Sequence, residues 1–215
     1  MASALRGVLS NRNVMTISLT NMLYNVFNNL WMLWWSLYLV EEMNTPVTVI
    51  GLLSMIQMTG SILFQLPGGM LADKYGRKKV IVYGTSLRVI GALLLWAAPT
   101  WEWVVPGLII NALTAVYNPA FSAIIADSMP RESRGSAFGA YRMFTSLPGV
   151  FMPYVSGYYL EVLGIRDGVK LGLLMFSVAA AIATLVRAKY LKETISTIKT
   201  NVEQIKEEEI GLLEL

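Results

Sequence analysis

Two consecutive stretches, 13–40 and 43–72, run for 28 and 30 residues without a charged side chain. A helix rises about 1.5 Å per residue, so each is long enough to cross a hydrocarbon core of about 30 Å. The pattern continues along the chain. Only Arg88 interrupts 80–101, and 103–126, 143–160 and 171–186 carry no charge at all. Soluble domains average about 25% charged residues. Here the figure is 14%, with six Trp and twelve Met among 215 residues. Helices are therefore predicted near 14–39, 48–71, 79–99, 103–126, 136–160 and 170–189. That makes 1–190 an all-α integral membrane protein with six transmembrane helices. The first run is not read as a signal peptide, because it is too long and no small-residue cleavage site with a polar mature domain follows it.

Lys and Arg set the expected orientation. With a cytoplasmic N-terminus, the inside segments hold Arg6, Arg12, Lys74, Arg77, Lys78, Lys79, Arg131, Arg134, Arg187, Lys189, Lys192, Lys199 and Lys206. The outside loops hold only Arg166 and Lys170. This asymmetry predicts both termini in the cytoplasm and a multi-pass protein of the cell membrane. Trp101 and Trp103 fall where an interfacial aromatic belt belongs.

The segment 191–215 differs from the rest. Ile195, Ile198, Val202 and Ile205 make one apolar stripe at helical spacing, while Glu203, Glu207, Glu208 and Glu209 crowd another face. Those carboxylates would be repelled by anionic headgroups. The stripe therefore reads as a helix packed on the cytoplasmic side, as a lead into a further domain, or as a solvated tail. With no Cys and no His, soft-metal sites and disulfides are not expected. No P-loop or nucleophile elbow occurs, so neither an enzymatic activity nor a cofactor is implied. A net charge of +3 gives no reason to invoke a nucleic-acid partner.

Between the second and third predicted spans lies a loop with Gly69, Leu71, Ala72, Asp73, Lys74, Gly76, Arg77, Lys78 and Ile81. Gly69 is expected to let a neighbouring helix approach closely, and Gly76 to make the tight turn. The segment resembles the signature G-x-L-a-D-r-x-G-r-k-x-x-l of the major facilitator superfamily, with Lys74 for the usual Arg. Two further stretches agree with it. Pro130, Arg131, Arg134, Gly135 and Ala137 are similar to the family's connection after its fourth helix. Gly149, Pro153 and Gly157 resemble a degenerate antiporter element, with Met152 and Ser156 where glycines are usual. The family's Arg-bearing helix 4 motif is absent, since 111–118 offers Asn, Thr and Tyr instead.

The resemblance implies half of a two-part transporter, the N-terminal six-helix half, itself an inverted pair of three-helix units. Gly69, Asp73, Gly76 and Lys78 recur as Gly157, Glu161, Gly164 and Arg166 at the opposite surface. It also implies that Asp73 is an interdomain latch near a helix N-terminus of the other half, and that Arg77 pairs with Asp127. A second six-helix half is then the expected partner, as a separate chain, a following domain or a second copy. The implied function is secondary transport of a small solute by alternating access. The other reading is a non-transporting assembly module.

Polar stripes mark candidate solute contacts. Asn21, Asn25 and Asn28 share one face of the first span, and Asn111, Thr114 and Asn118 share one face of the fourth. Ser54, Gln57, Ser61 and Gln65 do so on the second. Such rows line either a cavity or an interhelical hydrogen-bond seam. Of the two charges inside spans, Arg142 is placed to meet an anionic solute, whereas Arg88 is expected to bond a neighbouring helix or to snorkel inward. An amide-rich, acid-poor lining admits neutral polar, amphipathic or anionic solutes.

Overall fold

In an apolar solvent each backbone N–H and C=O must find its partner within the chain, and a helix supplies those partners locally. A computed structural model describes residues 11–129, 131 and 134–195, and among them every regular element is helical. The α-helices are α1 (Arg12–Trp31), α2 (Trp35–Glu41), α3 (Val47–Tyr75), α4 (Arg77–Ala97), α5 (Val104–Leu113), α6 (Asn118–Asp127), α7 (Arg134–Ser146), α8 (Pro148–Leu163) and α9 (Ile165–Tyr190). The predicted amphipathic stripe beyond Ile195 lies outside the described residues.

Four of these helical stretches are long and apolar enough to cross a membrane by length and composition: α3, α4, Trp101–Asp127 and α9. The first and fifth predicted spans are interrupted, each into two shorter helices. Pro148 opens α8 and breaks the fifth at Leu147, because its ring excludes the preceding turn from the ladder. The fourth tightens into a 3₁₀ turn at Thr114–Tyr117, where Pro119 has no N–H to offer the Ala115 carbonyl. The first tightens at Met32–Trp34, where neither Pro nor Gly stands. There Asn29 Nδ2 competes for the Asn25 carbonyl at 2.7 Å, and Trp34 Nε1 is drawn to Ser156 Oγ on α8 at 3.1 Å. The sixth helix starts at Ile165 rather than near 170, with Asp167 in its first turn favoured by the helix dipole.

Two junctions share one geometry. Gly76 (φ +102°) separates α3 from α4, and Gly164 (φ +80°) separates α8 from α9. Each donates its N–H to the residue four earlier, Ala72 at 3.0 Å and Leu160 at 2.8 Å. A single left-handed residue thus reverses the chain, and glycine bears that φ without a Cβ penalty. The junctions lie at opposite ends of the bundle. Thr194, four residues beyond α9, bonds Arg77 beside Gly76, while Gly164 precedes the other end of that 26-residue helix.

α9 packs along α4 and α1, α4 along α5, α3 against α5 and the Thr114–Tyr117 turn, and α1 against α8. Close approach comes one residue before the one expected. A Cβ on Gly68 would lie 2.2 Å from the Val116 carbonyl oxygen, whereas one on Gly69 would meet only Pro119 Cβ at 3.9 Å. Apolar side chains form two main cores. One gathers Trp31, Leu95, Leu108, Leu173 and Phe176, and the other gathers Ile17, Ile81, Phe121, Ile125 and Leu191. Along α1 and α4 the two cores are separated by a layer of polar residues.

Outward faces are strongly apolar. In α3 only 6% of the hydrophobic window is buried, against 39–50% in the other three long helices. Met58, Leu66 and Met70 on α3, and Val150, Tyr154 and Tyr158 on α8, are each at least 66% exposed. A water-soluble surface does not carry apolar area on this scale; lipid or another membrane helix covers it.

Candidate functional site

The layer between the cores opens into two cavities. The first, of about 400 Å³, is walled by Asn21, Asn25 and Tyr24 of α1, Asn118 and Ser122 of α6, and Tyr141, Arg142 and Thr145 of α7. The second, of about 300 Å³, is walled by Asn28 of α1, Gln57 and Ser61 of α3, and Asn111, Thr114 and Asn118 of the fourth span. Of the eleven candidate solute contacts, nine border a cavity: Asn21, Asn25, Asn28, Gln57, Ser61, Asn111, Thr114, Asn118 and Arg142. Ser54 and Gln65 do not; each donates to a carbonyl of its own helix.

Arg88 is the residue common to both cavities that sequence reasoning placed elsewhere. It does bond a neighbouring helix, with Nη2 donating to Thr114 Oγ1 at 3.0 Å. Its guanidinium carbon also lies 4.4 Å from the Tyr24 ring centroid and 5.2 Å from that of Tyr117, within cation–π range. Its Nε is buried and finds no acceptor among the described residues. Arg88 is the one residue of α4 among those lining either cavity, and its long stem spans the gap between its own backbone and the next helix.

Arg187 was counted from sequence as a surface charge, yet it is 1% exposed. Three neutral oxygens accept from it: Thr20 Oγ1 at 3.0 Å, Thr85 Oγ1 at 2.9 Å and Asn21 Oδ1 at 2.6 Å. The Phe121 ring faces it at 4.8 Å. Asn21 passes the order on, donating from Nδ2 to the Tyr141 hydroxyl at 2.5 Å. One cation therefore ties α1, α4 and α9 together and fixes two side chains of the first cavity wall. No charged partner reaches it among the described residues.

A second cluster closes one end of the bundle. Arg77 is ion-paired with Asp127 at the end of α6, and Arg77 Nη1 also donates to Thr194 Oγ1 at 3.3 Å. Glu193 had no sequence signal, yet its carboxylate accepts from Arg77 N at 3.1 Å and Lys78 N at 3.0 Å. Those amides open α4, whose N-cap, Gly76, has no side chain to satisfy them. Asn11 and Asn13 join the same end, bonding Ser128 and the backbone of Lys192. Asp73 is exposed and has no hydrogen bond or ion pair with any described residue. Lys78 takes part through its backbone, and Gly69 borders α6 at ordinary contact distance.

The profile of the Major Facilitator Superfamily matches residues 16–211. A multi-drug resistance efflux pump, PmrA, of Streptococcus pneumoniae is 30% identical over 116 residues, covering 54% of this chain and 29% of the pump. A probable galactarate/D-glucarate transporter, GudP, of Pseudomonas putida is 23% identical over 171 residues, covering 75% of this chain and 37% of the relative. The crystal structure of a bacterial homolog of the human lysosomal transporter Spinster, inward-facing and occupied, superposes with a TM-score of 0.70 at 18% identity. It covers 84% of this chain and 44% of that one, so the fold is shared. Each match takes up less than half of the longer protein. With a profile match along most of its length and the same helical fold, this chain belongs to the Major Facilitator Superfamily.

Proposed function

We propose that this chain is the N-terminal half of a secondary transporter that moves a small solute across the cell membrane by alternating access. The observation that carries the reading is the polar layer, with two cavities set between apolar cores and walled mainly from the first and fourth spans. Polar groups at bilayer depth face a cavity or another helix rather than lipid. In this reading the chain crosses six times, the interrupted first and fifth segments included, with both ends cytoplasmic. The end cluster is the cytoplasmic gate: Arg77 and Asp127 hold the half together, and the unpaired Asp73 latches a second six-helix half. The exposed faces of α3 and α8 meet that half. Transport relatives of the efflux and sugar-acid kinds support a small organic solute in general.

The chain has no cysteine, so single thiols can be introduced into an otherwise silent background. In intact cells, Glu102→Cys is expected to react with a membrane-impermeant maleimide, and Lys192→Cys only after permeabilisation. The reverse pattern would invert the topology. For alternating access, Asn118→Cys in native membranes is expected to react in both right-side-out and inside-out vesicles. Adding Asp73→Asn should raise the inside rate at the expense of the outside rate, because the latch is gone. Reaction from one side only, unchanged by Asp73→Asn, would mean a static pocket and sink the transport reading in favour of an assembly module.

A further inference from the structure

We infer that the solute carries a carboxylate, or an anion of like geometry, seated between Arg88 and Arg142 in the first cavity. The inference rests on the transport reading above and narrows it to one substrate class. Both cavities are walled by amides, hydroxyls and aromatic rings, and the formal charges among their lining residues are those of Arg88 and Arg142. No Asp or Glu lines either one. An arginine carries five N–H donors in a planar fork suited to a carboxylate. Arg88 places one of them on Thr114 and keeps a buried Nε with no acceptor among the described residues. The Arg142 side chain makes no hydrogen bond or ion pair with any described residue, and it is exposed to the cavity.

The neighbouring groups are set as donors too. Asn21 gives its oxygen to Arg187 and its amide to the Tyr141 oxygen, so the Tyr141 hydroxyl has its own proton to give, and it lines the cavity beside Arg142. Arg187 stands directly behind that wall with neutral partners, and its positive field is not offset there. The Tyr24 and Tyr117 rings stand against the Arg88 guanidinium without supplying an oxygen acceptor, so its remaining donors stay available to a planar anion. A cationic solute would meet two guanidiniums and no counter-charge. A neutral one would leave both arginines unneutralised at bilayer depth, a placement that membranes penalise. An anion satisfies the charges and the free donors together.

The same neutralisation has a second conceivable source, a fixed carboxylate of the second half, and the test separates the two. In the full chain in its native membrane, the thiol of Asn118→Cys is reacted with two methanethiosulfonates of similar size, the anionic sulfonatoethyl and the cationic trimethylammonioethyl reagent. Relative to a free thiol in solution, the anionic reagent is expected to be favoured roughly tenfold or more, the enrichment that a cavity of uncompensated charge produces. Arg142→Gln and Arg88→Gln should each cut that preference several-fold, and Arg88→Lys should keep most of it. A ratio equal to that of the free thiol would mean that a fixed carboxylate already occupies the arginines, and would overturn the inference. So would a ratio that neither glutamine variant moves. Protection of the thiol by D-glucarate or succinate, and not by galactose or choline, supports the anion; protection by galactose or choline sinks it. If no reagent of any charge reaches Asn118→Cys from either side, the transport reading itself has failed, which is a different result.

Discussion

Gly68→Ala is expected to lower the melting temperature of the detergent-solubilised protein by about 5–10 °C, while Gly69→Ala leaves it unchanged or slightly raised. The two residues are adjacent on α3 and chemically identical, so propensity affects them alike: alanine is better than glycine in a helix by about 1 kcal/mol. Packing separates them. A methyl on Gly68 would sit 2.2 Å from the Val116 carbonyl oxygen and 2.8 Å from the carbonyl carbon and Cα of Val116. That is roughly 1 Å short of ordinary contact, and all three atoms are backbone, which cannot rotate aside. Overpacking of this kind costs about 1–3 kcal/mol, with more where backbone must move. With backbone as the obstacle the cost is set at about 3–4 kcal/mol, so a net loss of about 2–3 kcal/mol remains after the propensity gain. The atoms that must yield belong to the Thr114–Tyr117 turn, which also supplies the oxygen and one of the rings that hold Arg88. Thiol reactivity at Asn118→Cys should change along with stability. Equal melting of the two alanine variants, by scanning fluorimetry, would show that α3 slides freely over that turn.

Much of the arrangement was legible in the sequence for one physical reason. In an apolar span a polar residue is conspicuous, and its helical phase assigns it a face. Asn21 and Asn25 could be grouped from spacing alone because one continuous helix carries them to one side, and Asn111 and Asn118 reach the same cavity across the 3₁₀ turn between them. The glycine junctions were legible too, since a turn of one residue between two long helices needs a positive φ. Reach and register were not. Arg88 belongs to a helix behind the cavity, and the length of its side chain decides where its charge goes. Arg187 looked like a boundary charge because it stands next to the basic end of α9; it turns inward because Thr20, Thr85 and Asn21 offer oxygens there. Gly68 and Gly69 differ only by about 100° of helix rotation, which no motif spacing resolves. The interruption at Met32–Trp34 had no Pro or Gly to announce it. It arises from side-chain competition and from Trp34 meeting a helix more than a hundred residues away.

Glu193→Gln should loosen the junction at Gly76 more than any other single-atom change at that end of the molecule. The carboxylate stands over the start of α4 and accepts four backbone amides, those of Arg77, Lys78, Thr194 and Ile195. It does two jobs with one charge. It satisfies orphan donors of a helix that has no cap of its own, and it places a negative group at the positive end of the helix dipole. Glutamine keeps the volume but presents one oxygen and one NH₂. One of the two amides of α4 then faces another donor, and the charge assistance is lost. Hydrogen bonds to a charged group contribute about 1.5–3 kcal/mol each when well buried. Glu193 is only half-buried, so the total is set at about 2 kcal/mol. The loss is local, and so is the measurement. Trypsin should cut after Arg77, Lys78 or Lys79 several-fold faster in Glu193→Gln than in the parent protein, and cleavage after the already exposed Lys192 should speed up as well because the backbone of 191–195 is released. Arg77 keeps its ion pair with Asp127, so α4 and α6 should stay docked and the cut should not spread into the bundle. Cleavage at the parent rate would show that solvent caps α4 as well as the glutamate does, and that Glu193 merely rests there. Faster cleavage together with a shifted inside-to-outside labelling ratio at Asn118→Cys would make Glu193 a member of the gate, acting from beyond α9 on the first turn of the third span.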